Sequence, residues 1–165
     1  MIEMPLADLA ATRALARALA GVLGRGDVVA LSGALGAGKT ELARFVILAR
    51  AEAARLPPPA EVPSPTYTLV QVYEAGAVPL WHFDLYRLER PDDALELAIE
   101  EAFADAITVI EWPDRLGPYM PDNRIEIALS RTGAGDARRA AITGIGARGR
   151  EIEAALSSVL AKGAA

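Results

Sequence analysis

The chain contains no cysteine, which excludes disulfides, thiolate metal sites, thiol nucleophiles and thiol redox switching. It also lacks an apolar run of the ~20 residues needed to span a bilayer, because Arg, Asp or Gly interrupts every long stretch. The N-terminus has no basic-then-apolar signal pattern. These absences predict a cytoplasmic protein that neither inserts into membranes nor is exported through Sec. Positive charge is not in excess: 22 acidic residues against 17 basic ones leave a net charge of −5, which argues against binding nucleic acid through whole-body charge. Lysine is nearly missing. Arginine has replaced all but Lys39 and Lys162, so a retained lysine draws attention.

What is present suits a globular fold. Hydrophobic residues make up 52% of the 165 positions and charged residues 24%, enough apolar side chain for a core. The length predicts one domain over residues 1–165. Apolar positions recur at three- and four-residue steps over residues 6–23, predicting an amphipathic helix. Residues 28–31 are a continuous apolar run, as in a strand buried on both faces. A helix is expected over 41–55, ended by Pro57-Pro58-Pro59, with an extended exposed loop over 57–65. Strands over 67–73 and 78–85 read as an antiparallel hairpin. A helix over 92–104, a buried strand over 107–110, paired strands over 125–129 and 140–145, and a last helix over 150–160 complete the pattern. This order describes an α/β domain, a three-layer sandwich around a mixed central sheet.

Gly33-Ala34-Leu35-Gly36-Ala37-Gly38-Lys39-Thr40 matches G-x-x-x-x-G-K-[ST] and lies between a predicted buried strand and a predicted helix. Glycines in such a loop let successive N–H groups converge on one anion, and the following helix adds its positive end. In that pattern Lys39 reaches the β- and γ-phosphates and the Thr40 hydroxyl ligates Mg²⁺. A guanine-reading N-K-x-D is absent, since the only asparagine, Asn123, precedes Arg124, so ATP is the expected nucleotide.

Such a site needs a carboxylate at the end of a nearby strand. Glu111 follows the apolar run Ile107-Thr108-Val109-Ile110 and fits that place. Asp84 is the second candidate. Alternation puts His82, Asp84 and Tyr86 on one face of their strand and Trp81, Phe83 and Leu85 on the other. The competing reading of Asp84 is an ion pair with Arg87, and His82 is expected to be a hydrogen-bonded structural residue. Ser64, Thr66 and Thr68 put three hydroxyls beside a proline-stiffened loop that can order around a γ-phosphate, with Thr66 in the nucleotide-binding set. Trp112 either packs over the site or presents a surface for a partner.

Four blocks in order, the phosphate loop, Val62-Pro63-Ser64-Pro65-Thr66-Tyr67-Thr68-Leu69-Val70, His82-Phe83-Asp84-Leu85-Tyr86-Arg87 and Ile110-Glu111-Trp112, resemble the bacterial TsaE (YjeE) family over residues 9–129. The resemblance implies a P-loop NTPase-like fold and an ATPase of low intrinsic turnover. It also implies association with the TsaB–TsaD pair, in support of threonylcarbamoyl transfer to adenosine 37 of tRNA, which is reached through the complex. It assigns Lys39 to phosphate, Thr40 and Glu111 to Mg²⁺, Asp84 to hydrolysis, residues 64–68 to a switch-like segment and functional importance to Trp112. Thr12 aligns with a family threonine, which leaves two readings: a place near the base, or a helix threonine that faces solvent or bonds its own backbone. Three positions depart from the family pattern: Ala34 for Asp, Glu41 for Thr or Ser, and Ala98 for Gly.

Two rival readings are a small-molecule kinase, for which residues 115–124 are the only lid-sized loop, and a nucleotide-gated binding module with incidental hydrolysis. Nucleotide contact by Arg138 or Arg139 is the remaining open assignment.

Overall fold

The structure, a computed structural model, describes residues 1–164. In chain order its elements are β1 (Ile2–Leu6), α1 (Leu9–Val22), β2 (Val28–Ser32), α2 (Lys39–Ala53), β3 (Val70–Tyr73), β4 (Leu80–Asp84), a 3₁₀ segment (Pro91–Leu97) and α3 (Ile99–Asp105). There follow β5 (Ile107–Glu111), a second 3₁₀ segment (Pro113–Tyr119), β6 (Arg124–Arg131), β7 (Arg138–Ile145) and α4 (Gly146–Gly163).

The strands form one seven-stranded sheet in the order β1-β7-β6-β2-β5-β4-β3. The middle four, β6, β2, β5 and β4, are parallel, while β1, β7 and β3 join antiparallel, so the sheet is mixed as expected. The apolar runs of β2 and β5 are buried on both faces, as parallel strands under two helical layers must be. On one side α1, α2 and α4 bury Leu15, Leu19, Val46 and Ile152 against Val29, Leu31, Val109 and Ile127. On the other, α3 and the two 3₁₀ segments bury Ala94, Ile99, Ala102 and Leu116 against Val28, Phe83 and Ile110. These layers make the three-layer α/β sandwich. No helix among the described residues is long and apolar enough to cross a membrane.

Three local expectations are corrected. The helix expected from residue 6 starts at Leu9, capped by Asp8, whose carboxylate accepts from the Ala11 N–H at 2.8 Å. The preceding residues form the edge strand β1, where Pro5 is tolerated because that place needs no inward donor. Residues 67–69 are a turn, with Leu69 at φ +65° and its N–H donating to the Pro65 carbonyl, so β3 begins only at Val70. The helix expected over 92–104 is split by Ala98, which sits in the left-handed region (φ 58°, ψ 36°) between a 3₁₀ segment and α3.

Candidate functional site

The glycine loop leaves the C-terminal end of β2 and runs directly into α2. Gly33 (φ +140°) passes so close to β6 that a Cβ there would lie 2.4 Å from the Leu129 carbonyl oxygen, which only glycine avoids. Gly38 (φ 105°) is the N-cap of α2 and no side chain among the described residues caps the helix, so its first donors are left without a side-chain acceptor there. Such an end attracts an anion.

Lys39 is almost fully buried, at 4% exposure, and its Nζ donates to the carbonyls of Gly33 (2.6 Å) and Ala34 (2.9 Å). Its ammonium also lies 4.3 Å from the centre of the Trp112 ring. Burial pulls the Lys39 pKa below the ordinary lysine value, opposed by the charges of Glu111 and Asp84. Trp112 adopts φ 57°, ψ 53°, a conformation costing a bulky residue about 1–2 kcal/mol. Contacts with Lys39 and with Tyr86, 4.9 Å away ring to ring, offset that strain. Trp112 therefore packs over the site.

Parallel pairing of β4 with β5 puts Asp84 opposite Glu111 at the strand ends. Glu111 is buried, and both its oxygens accept: Oε1 from Thr40 Oγ1 at 2.7 Å, and Oε2 from His82 Nε2 at 2.7 Å. His82 is fully buried and its Nδ1 has no partner among the described residues, which agrees with a structural, hydrogen-bonded histidine whose side-chain contact orients Glu111. Asp84 Oδ2 accepts from Thr66 Oγ1 (3.1 Å) and Ser64 Oγ (3.3 Å), and Oδ1 from the Tyr86 N–H (3.1 Å). The two hydroxyls share a 2.7 Å hydrogen bond. The ion pair of Asp84 with Arg87 does not form; Arg87 instead lies 4.4 Å over the exposed ring of Tyr67.

These groups surround one cleft of about 300 Å³, whose walls include Lys39, Thr40, Thr66, Asp84, Glu111 and Trp112. Of the loop residues singled out in the sequence, Leu35, Gly36 and Gly38 also face it, whereas Gly33 and Ala34 turn their carbonyls to Lys39 and Ala37 is buried. An adjoining cavity of about 260 Å³ is walled by Leu6, Leu9, Thr12, Leu129, Asp136 and Arg138, and shares Gly38 and Glu41 with the cleft.

Arg44 escapes the motif reading, which leaves Arg138 open. Arg44, one turn into α2, lines the cleft, donates to the Val62 carbonyl (3.1 Å) and pairs with Glu41. Arg138 donates from Nε to the Ala37 carbonyl at 3.0 Å, bracing the loop from outside, while Arg139 pairs with Glu3 away from it. Both lie outside the short motifs, so their nearness in the fold is what reveals Arg44 and separates Arg138 from Arg139. The lid-sized segment is packed down: Leu116 is fully buried and Tyr119 is bonded to Asp92. A separate groove between α1 and α2, lined by Arg13, Arg17, Phe45 and Leu48, holds no comparable set of acids and hydroxyls.

Residues 6–140 match the family model for "Threonylcarbamoyl adenosine biosynthesis protein TsaE". The chain belongs to the TsaE family. TsaE of Bacillus subtilis is 34% identical over 138 residues, covering 83% of this chain and 82% of that one. TsaE of a Nostoc species is 37% identical over 148 residues, covering 87% and 86% respectively. Both relatives are tRNA threonylcarbamoyladenosine biosynthesis proteins by name. The crystal structure of Bacillus subtilis YdiB superposes with a TM-score of 0.76 at 28% identity, over 95% of this TsaE-family chain and 94% of YdiB. The P-loop NTPase-like sandwich read from the sequence is thus the fold of the family.

Proposed function

We propose that the chain, acting as one domain in the cytoplasm, hydrolyses Mg-ATP as the ATPase subunit of tRNA threonylcarbamoyladenosine modification, in association with a TsaB–TsaD pair. The observation that carries this reading is the meeting of Lys39, Thr40, Asp84 and Glu111 around one cleft at the uncapped start of α2.

The residues suit the nucleotide and its metal. The loop and the open N–H groups of α2 offer donors to phosphate, and Lys39 supplies a cation whose present acceptors are two backbone carbonyls. Thr40 and Glu111 form a hydroxyl–carboxylate pair of hard oxygens that suits Mg²⁺. Bound Mg²⁺ neutralises phosphate charge. Asp84, at the neighbouring strand end, is the acceptor for a proton of the attacking water, and Thr66 and Ser64 hold its carboxylate in line. As water forms its bond to the γ-phosphorus, the bond from that phosphorus to the β–γ bridging oxygen breaks, leaving ADP, phosphate and a proton. The adjoining cavity, with apolar walls from Leu6, Leu9 and Leu129, suits the base. The net charge of −5 leaves most tRNA contact to the partner proteins.

The test is phosphate release from Mg-ATP by the purified chain, alone and with a TsaB–TsaD pair from the same organism, with Lys39→Ala as control. Stimulation by the pair that the variant lacks supports the reading. Binding of the pair with turnover unchanged favours a nucleotide-gated module, and the absence of both binding and hydrolysis overturns it.

A further inference from the structure

The phosphate cleft and the adjoining apolar cavity open on either side of the first turn of α2, and their walls have only Gly38 and Glu41 in common. A nucleotide with its phosphates in the first and its base in the second must thread its sugar past these two residues. Gly38 offers no side chain there. Arg138 packs against Gly38, but its guanidinium donates to the carbonyls of Ala37, Gly135 and Ala137, which leaves Glu41 as the one acidic side chain where the sugar has to pass.

Its carboxylate is half engaged. Oε2 accepts from Arg44 Nη1, and Oε1 has no partner among the described residues. The side chain is about one-third exposed and the residue lines both cavities, so the carboxylate is partly shielded from water. A carboxylate beside a phosphate site is ordinarily a liability, because like charges repel. Here Arg44 neutralises it and is itself held by the Val62 carbonyl, so the pair presents a fixed acceptor of low net charge. An acceptor without donor capacity, set at the junction of base and phosphate, matches sugar hydroxyls, which can donate to it.

Building on the ATP reading above, we infer that Glu41 recognises the ribose hydroxyls and makes the site selective for ribonucleotides over 2′-deoxyribonucleotides. A sugar lacking the 2′-hydroxyl leaves one acceptor oxygen of the partly buried Glu41–Arg44 pair without a donor, and sites built around a hydrogen bond reject the analogue that cannot make it. The partial exposure of Glu41 lets water compensate in part, so the discrimination is about tenfold, at the low end for a bond to a charged group.

The experiment is equilibrium binding of Mg-ATP and Mg-2′-dATP to the full chain by calorimetry, for the wild type, Glu41→Gln and Glu41→Ser. The wild type is expected to bind ATP about tenfold more tightly than 2′-dATP. Glu41→Gln retains a neutral acceptor and should narrow the preference to about threefold, and Glu41→Ser should abolish it. A thermal melt of each variant establishes that it is folded before binding is read. Equal wild-type affinities, or an undiminished preference in Glu41→Ser, overturn the ribose assignment while leaving the ATP reading in place. A wild-type chain that binds neither nucleotide overturns the ATP reading and the ribose assignment with it.

Discussion

Thr40 and Glu111, 71 residues apart in sequence, meet at 2.7 Å, hydroxyl to carboxylate, where α2 begins and β5 ends. The contact exists because β2 and β5 are parallel neighbours: Leu31 is in register with Glu111, and the loop that leaves β2 carries Thr40 back over that strand end. His82 on β4 fastens the other oxygen of Glu111. The carboxylate is thereby held in an orientation set by one hydroxyl and one imidazole, in the same cleft as the Lys39 ammonium.

Glu111→Gln keeps an amide that can bond to Thr40 and His82 but removes the charge. The expected outcome is near-normal ATP affinity with turnover reduced about 100-fold or more. Phosphate release together with nucleotide binding checks it, and turnover within a few fold of the wild type would remove Glu111 from the metal role.

Asp84→Asn replaces an acceptor that Ser64, Thr66 and the Tyr86 N–H all use. Turnover should fall by about 10²–10⁴, the range for losing a general base. Because the two hydroxyls lose their charged anchor, amide exchange over residues 64–69 should also accelerate. Hydrogen-exchange mass spectrometry reads this second effect independently of activity.

Ala98→Gly is expected to stabilise the fold. Ala98 occupies the left-handed region at the break between a 3₁₀ segment and α3, so glycine relieves strain there without interrupting a helix. The gain, offset by glycine's greater freedom in the unfolded chain, is about 0.5–1 kcal/mol, or about 1–4 °C in Tm. A melting curve that shifts downward would show that the neighbouring packing, and not the backbone, sets the stability at this position.

Arg148→Ala tests the fastening of α4. Arg148 donates from Nε and Nη2 to the buried carboxylate of Asp27 at 2.9 and 2.8 Å, and without it the carboxylate keeps only the Gly24 N–H among the described residues. The loss should cost about 1–3 kcal/mol by denaturant unfolding. Arg148 borders neither the cleft nor the cavity beside it, so ATP affinity should not change in the folded variant.

The sequence alone determined the strand–glycine loop–helix unit, the buried character of β2 and β5, the two candidate acids and the family. Each is local: an apolar run, a spacing of glycines, or a short string of residues states its own chemistry. The tertiary structure decided which distant groups share a cleft. The order β6-β2-β5-β4 brings Thr40 to Glu111, Glu111 to His82, and Asp84 to the hydroxyls of residues 64 and 66, contacts that no periodicity encodes. It also decided that residues 2–6 are a strand, because a five-residue edge containing proline acquires that state only by pairing with β7. The place of Glu41 between two cavities belongs to the same class. One wall is set by the loop that carries Ser64 and Thr66 and the other by α1 and the strands beyond it, and only folding brings those walls to the same turn of α2.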